Sequence, residues 1–174
     1  MEPTTPLLFL LGASHHTAPL AVREKLALDD ARAAALAEQL RRTPGIREFA
    51  LLNTCNRMEV YGVAEGPDPV AALRGALCAT TGCPPAEFEA AGFLRHNHEA
   101  VSHLFAVASG LDSQIVGETE ILGQVKTAYD AALARQWTGP VLNRVFQKTF
   151  QAAKHIRTHT AIGAGQISVA TVAV

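Results

Sequence analysis

The sequence predicts an α+β protein in which a sheet of four strands is followed by several helices. Short apolar runs bounded by turn residues occur four times up to residue 96, and such runs are typical of buried strands. Two alanine-rich segments with helical spacing separate these runs. Beyond residue 96, apolar residues recur at intervals of three and four, which is the period of an amphipathic helix.

The first strand is predicted at LLFLLGAS (7–14). A helix is predicted over 29–45, because Asp29 can cap its start and Pro44-Gly45 stops it. EFALLN (48–53) and MEVYGVA (58–64) are then predicted to form two strands joined by a polar turn.

A second helix is predicted over 68–85, with Pro69 in its first turn, and a fourth strand at AGFLRH (91–96). The resulting order is β-α-β-β-α-β, the ferredoxin-like arrangement, with helices on one face of the sheet. Further helices are predicted over 97–110, 120–136 and 142–158. The first of these would be capped by Asn97.

The last stretch, AIGAGQISVATVAV (161–174), is predicted to begin a helix capped by Ser168 that the chain does not complete. We therefore expect a fragment of a longer protein. GAGQIS (163–168) half matches G-x-G-x-x-G, but a helix precedes it and its third glycine is a serine. It is not counted as a nucleotide site, since that fingerprint follows a strand.

The composition is that of an ordinary globular protein. Of its 174 residues, 48% are hydrophobic and 18% charged, and the net charge is −1, so the chain is neither disordered nor uniformly basic. No apolar run approaches the ~20 residues that span a bilayer, and there is no basic start typical of a signal peptide. We expect a cytoplasmic protein with reduced thiols.

Basic side chains are concentrated near the end of the chain. From Arg135 to Val174 there are no acidic residues and five basic ones, Arg135, Arg144, Lys148, Lys154 and Arg157. This part of the chain could bind nucleic-acid phosphates. A solvated helix face is the alternative.

A cysteine stands in the polar turn of LLNTCNRMEVYG (51–62), although cysteine is usually buried. Cys55 lies between Thr54 and Asn56, with Arg57 two residues away. A thiolate near a cation is a nucleophile, and a guanidinium can bind a carboxylate by two hydrogen bonds. The turn could therefore bind a small acid and attack its carbonyl. The alternative is a hairpin whose cysteine folds back into the core, which is where we expect Cys78.

Two further features are candidate site elements. His103 lies beside the apolar stripe of its helix, where it could be a general acid or a hydrogen-bonded core residue. The glycine-punctuated segment 110–124 is either a surface connection or the wall of a small polar pocket formed by Ser113, Glu118, Thr119, Glu120 and Gln124. No Cys/His cluster has zinc-finger spacing, and no metal site is predicted.

Four blocks, taken in order, resemble the N-terminal part of the glutamyl-tRNA reductase family and together cover nearly the whole chain. They are GASHHTAPLAVREKLA (12–27), NTCNRMEVYG (53–62), HLFAVASGLDSQIVGETEILGQVKTAY (103–129) and QKTFQAAKHIRTHTAIGAGQISVA (147–170). This family reduces the glutamyl group esterified to tRNA to glutamate-1-semialdehyde with NADPH, which begins tetrapyrrole (5-aminolevulinate) synthesis. The resemblance implies the same activity.

The resemblance also implies roles for individual residues. Cys55 would attack the ester and form a thioester that hydride reduces, and Arg57 would bind the glutamate carboxylate. His103 would assist proton transfer or position the substrate. The other substrate contacts would be Thr54, Asn56, Ser113, Glu118, Thr119, Glu120 and Gln124. The family usually has G-E-P-Q-I-L-G-Q, so Thr119 and Glu120 depart from it, and Glu120 adds negative charge near an acidic substrate.

By the same resemblance, residues 1–160 would form the catalytic domain and 161–174 a linker into a truncated NADPH-binding domain. NADPH would be bound by a domain absent from this chain, and the full-length protein would be a homodimer. Glutamyl-tRNA would be the substrate and the downstream semialdehyde aminomutase a partner. Two other hypotheses remain: a stand-alone thiol-dependent acyl transferase or esterase, and a non-catalytic tRNA-binding module.

Overall fold

The computed structural model describes residues 6–163. Four strands are present in this part of the chain: β1 Leu7–Ser14, β2 Ile46–Asn53, β3 Arg57–Ala64 and β4 Phe93–His96. They form one sheet in the order β2-β3-β1-β4, and every neighbouring pair is antiparallel. The four predicted strands and the ferredoxin-like arrangement are confirmed.

Residues 6–163 contain seven α-helices and a 3₁₀ turn at Ala161–Gly163. The helices are α1 Leu20–Leu26, α2 Asp30–Arg42, α3 Asp68–Thr81, α4 Pro85–Ala91, α5 Asn97–Ser109, α6 Glu120–Ala134 and α7 Pro140–His159. The five predicted helices are all present. The two that were not predicted, α1 and α4, have seven residues each, which is too short for a periodic apolar pattern to stand out.

Local contacts confirm one predicted helix cap and contradict another. The side chain of Asp29 accepts a hydrogen bond from the backbone N–H of Arg32 at 2.8 Å, as expected of an N-cap. Asn97 is instead the first residue of α5, with a φ of +46°. Its side chain accepts from the backbone N–H of Leu8 at 3.3 Å and so ties α5 to β1. The predicted cap at Ser168 lies outside the described residues.

Helices cover both faces of the sheet. Alternate side chains of a strand point to opposite faces, so Phe9 and Leu11 pack in a core with the helices α1–α4. Leu10 and Tyr61 point the other way, into a second core with α5, α6 and α7. The prediction of helices on one face is therefore correct only for the first half of the chain. Burial on both faces also explains why the strands are continuous apolar runs. Cys78 belongs to the first core, as expected, and Cys83 is also buried there.

Glu48 on β2 attaches α7 to the sheet. Its carboxylate accepts hydrogen bonds from the backbone N–H groups of Gly139 at 2.9 Å, Val141 at 3.2 Å and Leu142 at 2.7 Å. These are unpaired donors at a helix N-terminus, where the helix dipole also favours an anion. Glu48 is 7% exposed, so water cannot readily replace it. None of the helices within residues 6–163 is long and apolar enough to span a bilayer.

We expect the substitution Glu48→Gln to lower the free energy of unfolding by about 2 kcal/mol, because it weakens charge-assisted hydrogen bonds to a buried helix end. Urea denaturation monitored by circular dichroism measures this. Glu38→Gln is the matched control: Glu38 pairs with Arg41 and Arg42 on the exposed side of α2, and its loss should cost less than about 1 kcal/mol. Equal effects of the two substitutions would contradict the proposed role of Glu48.

Candidate active site

Cys55 lies in the turn between β2 and β3, and it is exposed. Thr54 organises this turn, because its hydroxyl accepts hydrogen bonds from the backbone N–H groups of Asn56 and Arg57, both at 3.2 Å. The N–H of Thr54 donates to the carbonyl of Arg57 at 2.8 Å. The alternative in which Cys55 folds back into the core is therefore wrong.

Two residues that the sequence analysis did not single out hold the turn from outside. Nη1 of Arg23, on α1, donates to the carbonyl oxygen of Cys55 at 2.9 Å and to Oδ1 of Asn56 at 3.1 Å. The backbone N–H of His15 donates to the carbonyl of Asn56 at 2.8 Å. Both residues belong to the block GASHHTAPLAVREKLA (12–27). The resemblance of this block to the family was the sequence signal that could have identified them. Together they fix the backbone of Cys55 and Asn56.

The segment between α5 and α6 faces this turn. Gly110 and Gly117 have φ values of +80° and +87°, which glycine adopts without strain. The N–H of Gly117 donates to the carbonyl of Gly110 at 2.9 Å and closes the segment into a compact loop. Nη2 of Arg157, on α7, donates to the carbonyl of Glu118 at 2.6 Å and holds the loop against the helix.

Glu118 caps α6 with its carboxylate. One oxygen accepts from the hydroxyl of Ser113 at 3.1 Å and from the N–H of Ile121 at 3.1 Å, and the other accepts from the N–H of Glu120 at 2.9 Å. The negative charge therefore lies against the positive end of the helix dipole. Glu118 fixes the loop in this way as well as facing the pocket.

The turn and the loop enclose a small pocket with a volume of about 80 Å³. Pockets that enclose whole drug-sized ligands have roughly 300–1,000 Å³, so this one suits a single amino-acid side chain. It is lined by Thr54, Cys55, Asn56, Arg57, Ser113, Gln114, Ile115, Glu118, Glu120, Ile121 and Gln124.

Most of the predicted site residues thus come together, and two do not. Thr119 is exposed and does not line the pocket. His103 is 5% exposed and lies behind the pocket wall. The lining residues Gln114, Ile115 and Ile121 were not predicted. All three lie in the segment 110–124 that was singled out, and no chemical feature distinguished them from their neighbours.

A buried charge network supports the pocket. Nη1 of Arg57 donates to Glu59 and to Asp112, both at 3.0 Å, and Nη2 donates to the carbonyl of Asp112 at 2.8 Å. Glu59 also accepts from the hydroxyl of Tyr61 at 2.7 Å. Nε2 of His103 lies 2.8 Å from Glu59 and carries the proton, because an ionised carboxylate can only accept. Arg57, Glu59 and Tyr61 alternate along one face of β3, a pattern visible in RMEVY.

The network keeps its charges despite burial. Burial alone raises the pKa of Glu59. The hydrogen bond and charge of His103 lower it, as do the charge of Arg57 and the hydrogen bond from Tyr61. These effects outweigh burial, so the net pKa of Glu59 is below its ordinary value. Burial lowers the pKa of Arg57, and the carboxylates of Glu59 and Asp112 reverse that shift, so its net pKa is raised. Burial and then the charge of Glu59 raise the pKa of Tyr61. Tyr61 therefore stays a neutral donor.

Arg57 has hydrogen-bond donors that the network does not use. Three of its five N–H bonds are used within the network. Its Nε is buried and has no partner among the described residues. Nε and Nη2 share one edge of the guanidinium, and such an edge can bind a carboxylate by two parallel hydrogen bonds. Arg57 therefore supports the fold with three N–H bonds and leaves the other two without partners among the described residues.

No group of three His, Cys, Asp or Glu side chains that could hold a metal ion occurs between residues 6 and 163. His15 and His16 pack ring to ring, with centroids 3.9 Å apart. Burial, then the charges of His16 and Arg57, lowers the pKa of His15.

The sequence profile of the family "Glutamyl-tRNAGlu reductase, N-terminal domain" matches residues 11–160. The glutamyl-tRNA reductase of Synechococcus elongatus is 40% identical over 168 residues, which are 96% of this chain and 38% of the relative. The corresponding protein of Desulfotalea psychrophila is 43% identical over 166 residues, with shares of 95% and 39%. The chain therefore spans less than half the length of these relatives.

A solved structure is also similar. The glutamyl-tRNA reductase from Methanopyrus kandleri superposes with a TM-score of 0.77 at 32% sequence identity, covering 99% of this chain and 39% of that one. The likeness confirms the α+β architecture with its antiparallel sheet.

We expect Glu59→Gln to lower the free energy of unfolding by about 3 kcal/mol near pH 7, because Arg57 would keep a buried charge with one ionic partner fewer. The effect should depend on pH. Since the pKa of Glu59 is lower in the folded state, its contribution is present above its ordinary value of 4.5 and is lost as the pH falls through the folded-state pKa. Urea denaturation at several pH values measures both effects.

Glu87→Gln is the matched control for this substitution. Glu87 forms an exposed ion pair with Lys25 at 2.7 Å, and its removal should cost less than about 1 kcal/mol. If Glu59→Gln were as mild as this control, or if the difference from the wild type did not shrink in acid, the buried network would not stabilise the fold as described.

Proposed function

Because the chain belongs to the glutamyl-tRNA reductase family, whose N-terminal domain it matches, we propose that Cys55 accepts the glutamyl group of glutamyl-tRNA. One observation carries this proposal: an exposed cysteine and an arginine with unused donors line the same small pocket. The cysteine supplies a nucleophile and the arginine a partner for the substrate's carboxylate.

The proposed reaction is an acyl transfer. The thiolate of Cys55 attacks the ester carbonyl carbon, a C–S bond forms, and the ester C–O bond breaks. The ribose oxygen leaves with the electron pair of the broken bond and takes up a proton from water, which balances the proton that the Cys55 thiol gave to water, and the glutamyl group remains as a thioester. A thioester is easier to reduce than an ester. Arg23 and Thr54 hold the turn in one conformation during the reaction, so the sulfur of Cys55 is already positioned for attack on the ester carbonyl.

The glutamyl side chain would be held by its free carboxylate. In the ester, the α-carboxyl group is bound to ribose and the γ-carboxylate is free. We assign the γ-carboxylate to the Nε and Nη2 edge of Arg57. Ser113, Gln124 and Asn56 offer polar contacts from the surrounding walls. The burial of Arg57 strengthens its attraction for an anion, because little water competes.

His103 is proposed as a positioning residue. It does not line the pocket, and its contact is with Glu59. A direct proton transfer between His103 and the ester therefore finds no support in this arrangement. By holding Glu59, His103 orients Arg57, and so the second of its two expected roles is the one we propose.

NADPH is expected for the whole protein. A dinucleotide cradle requires a strand, a glycine-rich turn and a helix within a parallel sheet. The sheet of the described residues is antiparallel throughout, so they do not fit the cofactor. We assign them acyl transfer alone.

The wider proposal concerns the whole protein. It comprises reduction to glutamate-1-semialdehyde, the first step of tetrapyrrole synthesis, by a homodimer in the cytoplasm that delivers its product to the aminomutase. In this proposal residues 1–160 are the catalytic domain and 161–174 a linker.

Intact-protein mass spectrometry tests the acyl transfer. The chain is mixed with glutamyl-tRNA without NADPH and quenched in acid. We expect one glutamyl adduct on the wild type and on Cys78→Ala, a buried control, and none on Cys55→Ser. An unmodified wild type, with ester loss no faster than in buffer, would contradict acyl transfer. Complete turnover by this chain with NADPH would contradict its restriction to that step.

The role of Arg57 is tested with two esters. We expect a glutaminyl ester, which lacks the γ-carboxylate charge, to acylate Cys55 about ten- to a hundredfold more slowly than a glutamyl ester, since it loses a charge-assisted pair. Arg57→Lys should reduce this preference, because an ammonium cannot bind the carboxylate at two points. Equal rates for both esters on the wild type would exclude Arg57 as the carboxylate partner. Thermal melting verifies the fold of the variant.

A further inference from the structure

The exposed face of α7 carries cations without anions. The helix, Pro140–His159, contains no Asp or Glu. Arg144, Lys148 and Lys154 are exposed on it. His155 and His159 are also exposed, and their rings stack at 4.1 Å. We call these five residues the α7 basic face.

The three cations of this face lack carboxylate partners. None of them forms an ion pair within residues 6–163, and Lys148 donates to the neutral amide of Gln151 at 3.2 Å. The exposed cations of α1 and α2, across the sheet, differ, since each forms an ion pair: Lys25, Arg32, Arg41 and Arg42. Ordinary surfaces mix both signs, and α7 departs from this because its twenty residues contain no Asp or Glu.

The helix runs away from the pocket. Near its C-terminal end, Arg157 holds the carbonyl of Glu118, a pocket residue. At its N-terminal end, Glu48 attaches it to the sheet. At a rise of about 1.5 Å per residue, the thirteen positions from Arg157 to Arg144 span about 20 Å. The rigid helix therefore presents these cations at increasing distances from the pocket, with Arg144 and Lys148, four residues apart, on the same side.

We infer that the α7 basic face binds the phosphate backbone of the tRNA whose 3′ end enters the pocket. This inference rests on the proposed function. A glutamyl ester arrives there attached to a polyanion, so phosphates must pass close to the pocket, and unpaired cations attract them. Lys and Arg on a rigid helix contact phosphates irrespective of base sequence.

The test is tRNA binding by a variant with Arg144→Gln, Lys148→Gln and Lys154→Gln. At about 0.1 M salt we expect at least a tenfold loss of affinity, and a decrease of about three in the slope of log K against log salt. The matched control carries Arg32→Gln, Arg41→Gln and Arg42→Gln on α2, across the sheet, with the same change in charge. It should bind within about twofold of the wild type.

A small substrate separates the two proposals. Wild type and both variants should acquire a glutamyl adduct on Cys55 from an adenosine glutamyl ester at equal rates. If that adduct forms but both variants bind tRNA alike, or if affinity falls with no change in salt slope, the inference about α7 is overturned and the acyl transfer stands. If no adduct forms on any protein while tRNA binding still depends on α7, the acyl transfer is overturned instead.

Discussion

The pocket depends on the partly buried contact between Arg57 and Asp112, because its two walls are joined there. One wall is the turn after β2 and the other is the loop after α5, and 55 residues separate these partners along the chain. Burying a charge is costly unless its partners are good. Glu59 meets this requirement by accepting from Arg57, Tyr61 and His103 at 2.7–3.0 Å. The chemistry proposed for Cys55 therefore rests on a carboxylate that never meets the substrate.

The two uses assigned to Arg57, in the buried network and in the proposed binding of a carboxylate, require arginine at this position. A lysine offers three donors on one atom and cannot face Glu59, Asp112 and a ligand from separate edges. Arg57 directs three N–H bonds into the fold and keeps its Nε edge free. Its orientation is settled before a ligand arrives, so little conformational entropy is lost on binding. Preorganisation of this kind follows from the packing around β3.

The sequence was informative where one local pattern decides the structure. The apolar run 7–14 and the cap at Asp29 predicted β1 and the start of α2. The Cys55 turn was identified from residue types alone. Helix α1 was missed because seven residues carry too little pattern, and with it the contact between Arg23 and Cys55. The pairing of Glu59 with His103 joins positions 44 residues apart, and no local pattern indicates it. The alternation of Arg57, Glu59 and Tyr61 indicates a buried polar network on β3 without identifying His103 as a partner. Polar residues on one face of a strand with apolar neighbours must form hydrogen bonds inside the protein.

Glu118 and Glu120 show how an acidic pocket wall can coexist with the acidic ligand proposed here. The charge of Glu118 is stabilised by hydrogen bonds from the hydroxyl of Ser113 and from two backbone N–H groups of α6. Glu120 lies in the first turn of the same helix, where the helix dipole offsets part of a negative charge. It is also exposed, so water screens what remains. Arg57 is buried, and Glu59 and Asp112 already offset its charge. What it offers an anion at the base of the pocket is therefore its unused Nε donor, not a net positive charge.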